Sequence, residues 1–335
     1  MTPPVRRTLL LTVVATALAL AGATAAAGGN GGFAPVSPES PNAEGITHSF
    51  LFITVFVVAI LVLVEGLLVA FLVRYRRRRR ARDADGAQIH GSTRLELMWT
   101  AGPVVILFLI AVFVFVQLPG IADVPGASAG GGPLRVSVVG QQFAWEYRYS
   151  NGVVAIDHLR APAGVPVELE VTAPDWDVIH SWWIPALGGK IDAIPGRVNT
   201  TWFKAGKTGT YKGQCAELCG LYHAKMLATV EIMEPSRFAS WLAREKADQS
   251  RPSTDLGRQE WVGYCAKCHG MDGQGGYGPA LPPGTLTNRE TVNRIVREGR
   301  STPGRNVMPP VGRDWTREQL DSLDAYLEER FGSQG

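Results

Sequence analysis

The stretch that decides the fold is Gln214-Cys-Ala-Glu-Leu-Cys-Gly-Leu-Tyr-His-Ala-Lys-Met226. It holds two thiols, one imidazole and one thioether within a short loop: Cys215, Cys219, His223 and Met226. Soft sulfur and imidazole ligands favour copper among the biological metals. A second imidazole, His180, follows a β-branched pair that predicts the end of a strand. One Cys, two His and a weak Met would describe a mononuclear blue-copper site, and the second cysteine departs from that pattern.

At these residues the chain resembles subunit II of the haem–copper cytochrome c oxidases, and residues 189–197 look like the same family. The resemblance implies a dinuclear copper centre, CuA, in which two thiolates bridge a pair of coppers. It implies that Cys215 and Cys219 are the bridging ligands and that His180 and His223 are the terminal ligands. Met226 and the backbone carbonyl of Glu217 would then be the weak ligands. It also implies that the Glu217 carboxylate reaches a magnesium ion at the subunit I interface, and a hard oxygen ligand suits Mg²⁺.

Two other interpretations of the loop stay open. Cys215 and Cys219 would form a disulfide in an oxidising compartment, although that leaves His180, His223 and Met226 without a role. Two Cys and two His would also satisfy zinc.

Composition limits the classes of function. A chain of 335 residues is long enough for two or three domains. Its net charge of +3 is too small to indicate nucleic-acid binding. A block of arginines directly follows a long apolar run, which favours a membrane boundary over a nucleic-acid patch: Arg74, Arg76 to Arg80 and Arg82. The four cysteines fall into two short motifs, so none remains for a disulfide framework.

The N-terminal part predicts a targeting segment. Residues 1–27 have the pattern of a secretory signal, with Arg6 and Arg7, an apolar core and small residues that offer A-x-A cleavage sites. A retained extra anchor is the alternative. Residues 28–45 are rich in Gly, Pro, Ser and Asn and predict a flexible linker.

Residues 46–120 predict a transmembrane helical hairpin with spans at about 50–73 and 98–118. The arginine block between the spans should stay in the cytoplasm by the positive-inside rule. The metal-binding part then lies on the extracytoplasmic side of a multi-pass cell-membrane protein. The same arrangement is found in the family that the loop resembles.

Two glutamates lie in or near the predicted spans. Glu65 is an ionisable group inside the first span, where contact with a partner subunit is favoured over a proton path. Glu96 precedes the second span and resembles the family glutamate at the mouth of a proton channel into subunit I. A solvated carboxylate at a helix N-terminus explains Glu96 equally well.

Between residue 133 and about 234, the runs 134–139 and 165–171 alternate apolar and polar residues, with Gly, Pro and Asn between the runs. This predicts an all-β Greek-key sandwich of the cupredoxin type. The aromatic stretch 142–149 resembles the family's strand near CuA. Phe143 stands where the family usually has the Trp that accepts electrons from soluble cytochrome c, and Trp145 keeps its match. Both also suit a plain aromatic core. Residues 235–255 predict a connector with one amphipathic turn.

Residues 256–333 predict a small all-α cytochrome c domain. Cys265-Ala-Lys-Cys-His269 is the C-x-x-C-H motif of covalent haem attachment, with His269 as an axial ligand. Met308 is placed to be the sixth ligand. The stretch 277–281 resembles the cytochrome c loop whose proline, here Pro279, supports the axial histidine. Thr316 and Gln319 predict a capping box for the last helix. A disulfide or thioredoxin-like motif is the alternative for the two cysteines, but it leaves the His and the Met unexplained.

The whole pattern resembles subunit II of a haem–copper oxidase with a fused class I cytochrome c. The resemblance implies electron transfer from a donor, either a cytochrome c or an upstream complex, through haem c and CuA to subunit I. There the family reduces O₂ to water and pumps protons. It implies oxidase subunit I, further oxidase subunits and the lipid bilayer as partners, and no nucleic acid. A membrane-anchored redox carrier without an oxidase partner, or a copper-delivery protein, is the alternative.

Overall fold

The computed structural model describes residues 34–75, 88, 90–126, 132–282, 284–286, 288–301 and 308–332. The predicted signal peptide, residues 1–27, and the arginine block at 76–80 and 82 lie outside the described residues. The described chain forms two compact units. Among the described residues, one comprises 34–37 and 44–121, and the other comprises 38–43 together with those from 122 onward.

The first unit is a pair of long apolar helices, α1 (Pro41–Tyr75) and α2 (Thr93–Ala122). Both are long and apolar enough to cross a membrane. The rings of Phe52 and Phe113 stack between the helices, with centroids 4.0 Å apart. The helices contain the predicted spans, but α1 begins at Pro41, inside the segment predicted to be a linker (28–45). Glu65 and Glu96 both lie on exposed surfaces of this unit.

The second unit begins with a β-sandwich, hereafter the copper-type domain. Its strands are β1 (Leu134–Gln141), β2 (Ala144–Tyr149), β3 (Val154–Ile156), β4 (His158–Pro162), β5 (Val167–Thr172), β6 (His180–Trp182), β7 (Ile191–Ala193), β8 (Asn199–Phe203), β9 (Gly209–Gln214) and β10 (Leu227–Met233). One sheet has the order β3-β2-β1-β5-β8, and a second has β4-β10-β9. β6 and β7 form a short ribbon that carries His180 at its start.

The sandwich core follows from the alternation in the sequence. β1 and β5 pair in parallel, with Val136 opposite Leu169 and Val138 opposite Val171. These four side chains are almost completely buried, as expected when side chains of period two face the second sheet. The all-β sandwich predicted for residues 133–234 is therefore present.

The predicted connector, residues 235–255, differs from its prediction. Most of it is a regular helix, α3 (Pro235–Asp248), rather than a single amphipathic turn. Phe238 and Trp241 are buried against the sandwich, where Trp241 meets Tyr149 edge to face at 5.4 Å. The apolar residues at helical spacing bury enough surface to extend the helix.

The C-terminal part, hereafter the haem-type domain, is helical. Its elements are α4 (Thr254–Glu260), a π-helical turn (Trp261–Cys265), α5 (Ala266–His269), α6 (Arg289–Glu298) and α7 (Arg317–Phe331). The predicted capping box is confirmed, because the Thr316 side chain accepts from Gln319 N and the Gln319 side chain accepts from Thr316 N. The apolar stripe of α7 is buried in this domain's core: Leu320, Leu323 and Leu327.

Candidate copper and haem sites

The cysteine loop closes onto the β6–β7 ribbon. The loop leaves β9, passes through a short 3₁₀ turn (His223–Lys225) and returns in β10. Cys215 N donates to the Met226 carbonyl at 2.9 Å and thereby closes the loop on itself. Ala216 N donates to the Ser181 carbonyl at 2.9 Å, and this bond joins the loop to the strand that carries His180. These bonds bring the distant His180 to the cysteines.

The donor atoms of the loop converge in one buried place. The sulfurs of Cys215 and Cys219 are 3.9 Å apart, far beyond the 2.05 Å of a disulfide, so the structure holds two separate thiols. Cys219 Sγ lies 3.6 Å from His223 Nδ1 and 3.8 Å from Met226 Sδ. The ligand atoms of His180, Cys215 and Cys219 all lie within 4.8 Å of one another. Two sulfurs and two imidazoles so close together can hold a soft metal ion.

The electrostatics of this place favour a cation. His180 is fully buried, and neither ring nitrogen makes a hydrogen bond among the described residues; Asp177 Oδ2 lies 3.6 Å from Nε2, beyond hydrogen-bond distance. An unpartnered buried polar group is costly, and a bound metal would satisfy it. Burial lowers the pKa of His180, but Asp177 and Cys215 outweigh burial and raise it overall. The neighbouring Cys219 thiol lowers the pKa of Cys215 to about 3, while Cys215 and burial raise that of Cys219.

Glu217 offers two different groups. Its backbone carbonyl oxygen lies 3.2 Å from Cys215 Sγ and so faces the sulfur site. Its carboxylate is half exposed and lies 3.8 Å from Lys190 Nζ, which also contacts Asp192 at 2.9 Å. Lys190 and Asp192 belong to residues 189–197, whose strand β7 pairs with β6 beside His180.

A large cavity occupies the haem-type domain. Its volume is about 810 Å³, and its lining brings together Cys265, His269 and Met308 with apolar side chains. His269 Nδ1 lies 2.8 Å from the Pro279 carbonyl oxygen. When Nδ1 donates to that oxygen, Nε2 keeps its lone pair for a metal ion. A Cβ on Gly278 would lie 2.8 Å from the His269 ring, so the loop can approach the histidine only with glycine there.

The two methionines near the motif have different surroundings. Met308 lines the cavity that His269 also lines, and it is held by two backbone hydrogen bonds to Arg300, each 2.9 Å long. Met271 is more than half exposed and is not among the described residues that line the cavity. The thioether that can face His269 is therefore that of Met308.

The predicted aromatic pair is divided between two roles. Trp145 is fully buried, and its ring meets His180 edge to face with centroids 6.1 Å apart. Phe143 is half-buried and lies 5.7 Å from Tyr222. Phe143 also lines a second cavity, of about 220 Å³, together with Cys268 and His269 of the haem-type domain. Phe143 thus lies at the boundary with the haem-type domain.

Several residues at this boundary carry no signal in the sequence. Lys267 contacts Asp157 and the Phe143 carbonyl. Tyr222 joins the copper-type loop to Tyr277 of the haem cavity. Lys267 and Tyr222 each stand inside a recognised motif, which suggests a functional role. Nothing in the sequence, however, pairs either residue with a residue of the other domain.

The fold and the two sites define a membrane-anchored electron-transfer subunit, and the family comparisons agree. Residues 152–233 match the family described as cytochrome c oxidase subunit II, periplasmic domain. Residues 31–116 match its transmembrane domain. Residues 252–327 match the family described as cytochrome c oxidase, cbb3-type, subunit III.

Two relatives of known name give the same result. The chain is 33% identical to cytochrome c oxidase subunit 2 of Alkalihalophilus pseudofirmus, over 87% of this chain and 89% of that protein. It is 34% identical to the Synechocystis subunit 2, over 70% of this chain and 81% of that protein. A solved periplasmic domain of subunit II from Bradyrhizobium japonicum is 38% identical, covering 37% of this chain and 97% of its own, with a TM-score of 0.34. The chain therefore belongs to the cytochrome c oxidase subunit 2 family, and it carries a C-terminal cytochrome c domain.

Proposed function

We propose that this subunit holds a dinuclear CuA centre and one covalent haem c, and that it relays electrons from a donor through both to oxidase subunit I. When bound, the two groups supply one-electron redox chemistry, and the oxygen reduction and proton pumping belong to subunit I. The observation that carries the proposal is the convergence of the Cys215, Cys219 and His180 donor atoms within 4.8 Å in a buried site.

The side chains of the loop suit this role. Cys215 and Cys219 would bridge the coppers, His180 and His223 would be terminal ligands, and Met226 with the Glu217 carbonyl would be weak ligands. The two thiols lie 3.9 Å apart, which leaves room for metal between them. Burial excludes water from the sulfurs, and the fixed loop limits rearrangement when charge changes. Zinc remains the competing metal for this donor set.

The haem-type domain supports the second half of the proposal. Cys265 and Cys268 would attach the haem, and His269 with Met308 would be axial ligands, with the Pro279 carbonyl orienting the histidine. The cavity of about 810 Å³ is mostly apolar in lining, which suits a porphyrin. Ligation by His and Met raises the reduction potential of a haem, as an acceptor of electrons from an upstream donor requires.

The order of the relay is supported by the Phe143 position. Cys268 and His269 of the haem-type domain line a cavity together with Phe143, so the attached domain would compete with a soluble cytochrome c for that part of the copper-type domain. Electrons would therefore enter at haem c, from a cytochrome c or an upstream complex. Trp145 is buried behind His180 rather than exposed to a donor.

Three further roles stay proposals. Glu96, in the first turn of α2, would stand at the mouth of a proton channel of subunit I. The Glu217 carboxylate would bind Mg²⁺, for which it must leave Lys190. The metal and haem domains would lie on the extracytoplasmic side of the cell membrane, with the other oxidase subunits beside α1 and α2. A redox carrier without an oxidase partner is the second candidate function, and co-purification of subunit I separates the two.

The test is metal and haem analysis of the detergent-purified full-length chain. We expect two coppers and one covalent haem per chain, and an EPR signal from one unpaired electron shared by both coppers. Cys219→Ser should abolish that shared signal, because an alcohol is a poor bridge for a soft metal. One copper per chain with a mononuclear four-line signal, or zinc in place of copper, would contradict the CuA assignment.

A further inference from the structure

One lysine crosses from the haem attachment motif to the copper-type domain. Lys267 stands between the two cysteines of the motif. Its Nζ lies 2.8 Å from Asp157 Oδ2 and 2.6 Å from the Phe143 carbonyl oxygen. The side chains of Lys267 and Asp157 are 14% and 23% exposed. Most of the pair is therefore removed from water, where a charge pair is stronger and a lone charge is costly.

Hydrogen bonds within the copper-type domain hold Asp157 in place independently of Lys267. Asp157 N donates to the Trp145 carbonyl, and Trp145 N donates back to Asp157 Oδ1 at 2.8 Å. The Asp157 carbonyl accepts from Thr229 N at 2.9 Å. Among the described residues, Asp157 is the one non-glycine with a positive φ, 58°, a conformation that Asp and Asn tolerate better than most residues. Burial raises the pKa of Asp157 above its ordinary value, and the Lys267 ammonium offsets part of that rise.

The Lys267–Asp157 pair is linked to a proposed redox site on each side of the domain boundary. On the copper side, Asp157 holds the backbone of Trp145, whose ring meets His180. On the haem side, Lys267 is next to Cys268 and two residues from His269. The ion pair thus joins the backbone that would carry the haem to the strand that supports a proposed copper ligand.

We propose that Lys267 is a positioning residue: it clamps the haem attachment motif onto Asp157 and the Phe143 carbonyl, and so sets the separation between the two redox sites. The part of this that concerns electron transfer rests on the proposed function. Transfer slows steeply as the separation of two centres grows, so a clamp at the motif itself controls the rate more directly than the polypeptide connection does. Other bonds also join the domains, including Gln319 Nε2 to Glu146 Oε2 at 3.1 Å, but among the described residues Lys267 is the member of the attachment motif whose side chain bonds the copper-type domain.

Four variants of the full-length holoprotein isolate the clamp. Lys267→Met keeps much of the apolar stem and removes the ammonium. Asp157→Asn keeps an oxygen for Trp145 N and tolerates the positive φ. Lys267→Arg is the conservative change. Arg258→Met is the matched control, because it breaks the exposed Arg258–Asp255 pair within the haem-type domain.

Two measurements read the effect. The first is hydrogen exchange at the amide of Ile156, which donates to Gln259 Oε1 of the haem-type domain at 3.4 Å. The second is the rate of electron transfer from haem to copper after photoreduction, with the spectra and potentials of both centres recorded. We expect Lys267→Met and Asp157→Asn each to speed that exchange by roughly tenfold and to slow transfer without changing either potential. Lys267→Arg should keep most of the wild-type behaviour, and Arg258→Met should keep all of it.

The double variant makes the test decisive. Since Lys267→Met already removes both bonds of the clamp, Lys267→Met with Asp157→Asn should be no worse than Lys267→Met alone. Wild-type exchange and transfer in Lys267→Met, or additive losses in the double variant, would overturn the clamp. If Lys267→Met fails to attach haem, Asp157→Asn, which is outside the motif, decides alone. The exchange measurement needs no copper signal, so loss of the CuA assignment would leave this test standing.

Discussion

The rings of Tyr222 and Tyr277 meet edge to face, with centroids 5.9 Å apart and planes at 88°. Tyr222 directly precedes His223 of the copper-type loop, and Tyr277 lines the haem cavity. Tyr222 also meets Phe143 edge to face at 5.7 Å. Three aromatic rings are thus in contact through Tyr222 between the two proposed redox sites, beside the second cavity, and removing Tyr222 would break both contacts.

Tyr222→Ala should therefore slow electron transfer from haem to copper severalfold. It removes both ring contacts, each of which contributes about 0.5–1.5 kcal/mol to packing, and it admits water between the sites. Tyr222→Phe keeps the rings in place and should transfer at the wild-type rate. Photoreduction of the haem with detection at the copper absorption band measures both variants. A wild-type rate in Tyr222→Ala would mean that this aromatic contact serves packing alone.

A buried carboxyl at the same boundary predicts a pH dependence of stability. Glu260 is fully buried, and neither carboxylate oxygen has a hydrogen-bond partner among the described residues. Burial, and then the nearby Glu146, raise the pKa of Glu260 well above its ordinary value of 4.5. Between these two pKa values the unfolded chain binds fewer protons than the folded chain, so Glu260 should make stability fall as pH rises.

Glu260→Gln should remove this loss. A one-unit rise in pKa corresponds to about 1.4 kcal/mol, so we expect the variant to gain about 1 kcal/mol or more at pH 8 and little at pH 4. Thermal unfolding of the full-length protein at several pH values measures this. The exposed Glu329→Gln is the control and should follow the wild-type profile. Equal profiles for Glu260→Gln and wild type would show that folding does not raise the pKa of Glu260.

Met308→Ala should leave the haem attached through Cys265 and Cys268 but lower its reduction potential. The reason is loss of the thioether that shares the cavity with His269. Axial ligands set haem potentials over about 0.8 V, and we expect a drop on the order of 0.1 V. Met271→Ala is the matched control, since Met271 is exposed and outside the described cavity lining. Spectroelectrochemical titration measures both variants, and an unchanged potential in Met308→Ala would exclude Met308 as the ligand.

Local chemistry explains which features the sequence could predict. The cysteine loop and the C-x-x-C-H motif hold most of their donor groups within a few residues, so spacing alone predicts the chemistry. The strands of the sandwich and the stripe of α7 follow from periodicity. The sequence predicts too short a helix at α3 because the end of that segment is polar. The structure shows why the helix extends: Phe238 and Trp241 are buried against the sandwich.

Contacts between the domains could not be predicted in the same way. Lys267 and Asp157 are 110 residues apart, and no sequence pattern around either residue indicates that the two are in contact. Glu260 and Glu146 are ordinary charged residues in the sequence, yet both are buried where the domains meet. Docking depends on the complementarity of two surfaces that exist only after each domain has folded. Such complementarity leaves no periodic pattern in the sequence. For the same reason the sequence predicts only a connector, residues 235–255, between the two domains, whereas the structure also has direct contacts between them.

The last prediction concerns the route of electrons and uses this interface. A chain that ends at Ser250 keeps α3 and also Gln249, whose side chain bonds the Val154 backbone in both directions at 2.9 Å. It loses the partners that bury Ala144, Val154 and Ile156, so its copper signal must be checked first. If haem c precedes copper in the relay, the oxidase carrying this truncated subunit should keep its copper spectrum and lose most turnover with the natural donor.

Adding back the free haem-type domain supplies the control for that route. Covalent connection holds the domain at millimolar effective concentration, so the separate domain should restore turnover only at high concentration and in a saturable way. The same domain with Lys267→Met should restore less at every concentration, because it lacks the charge that meets Asp157. A truncated enzyme that oxidises the donor at the full-length rate would show that electrons reach the copper-type domain directly, and the serial order would then be wrong.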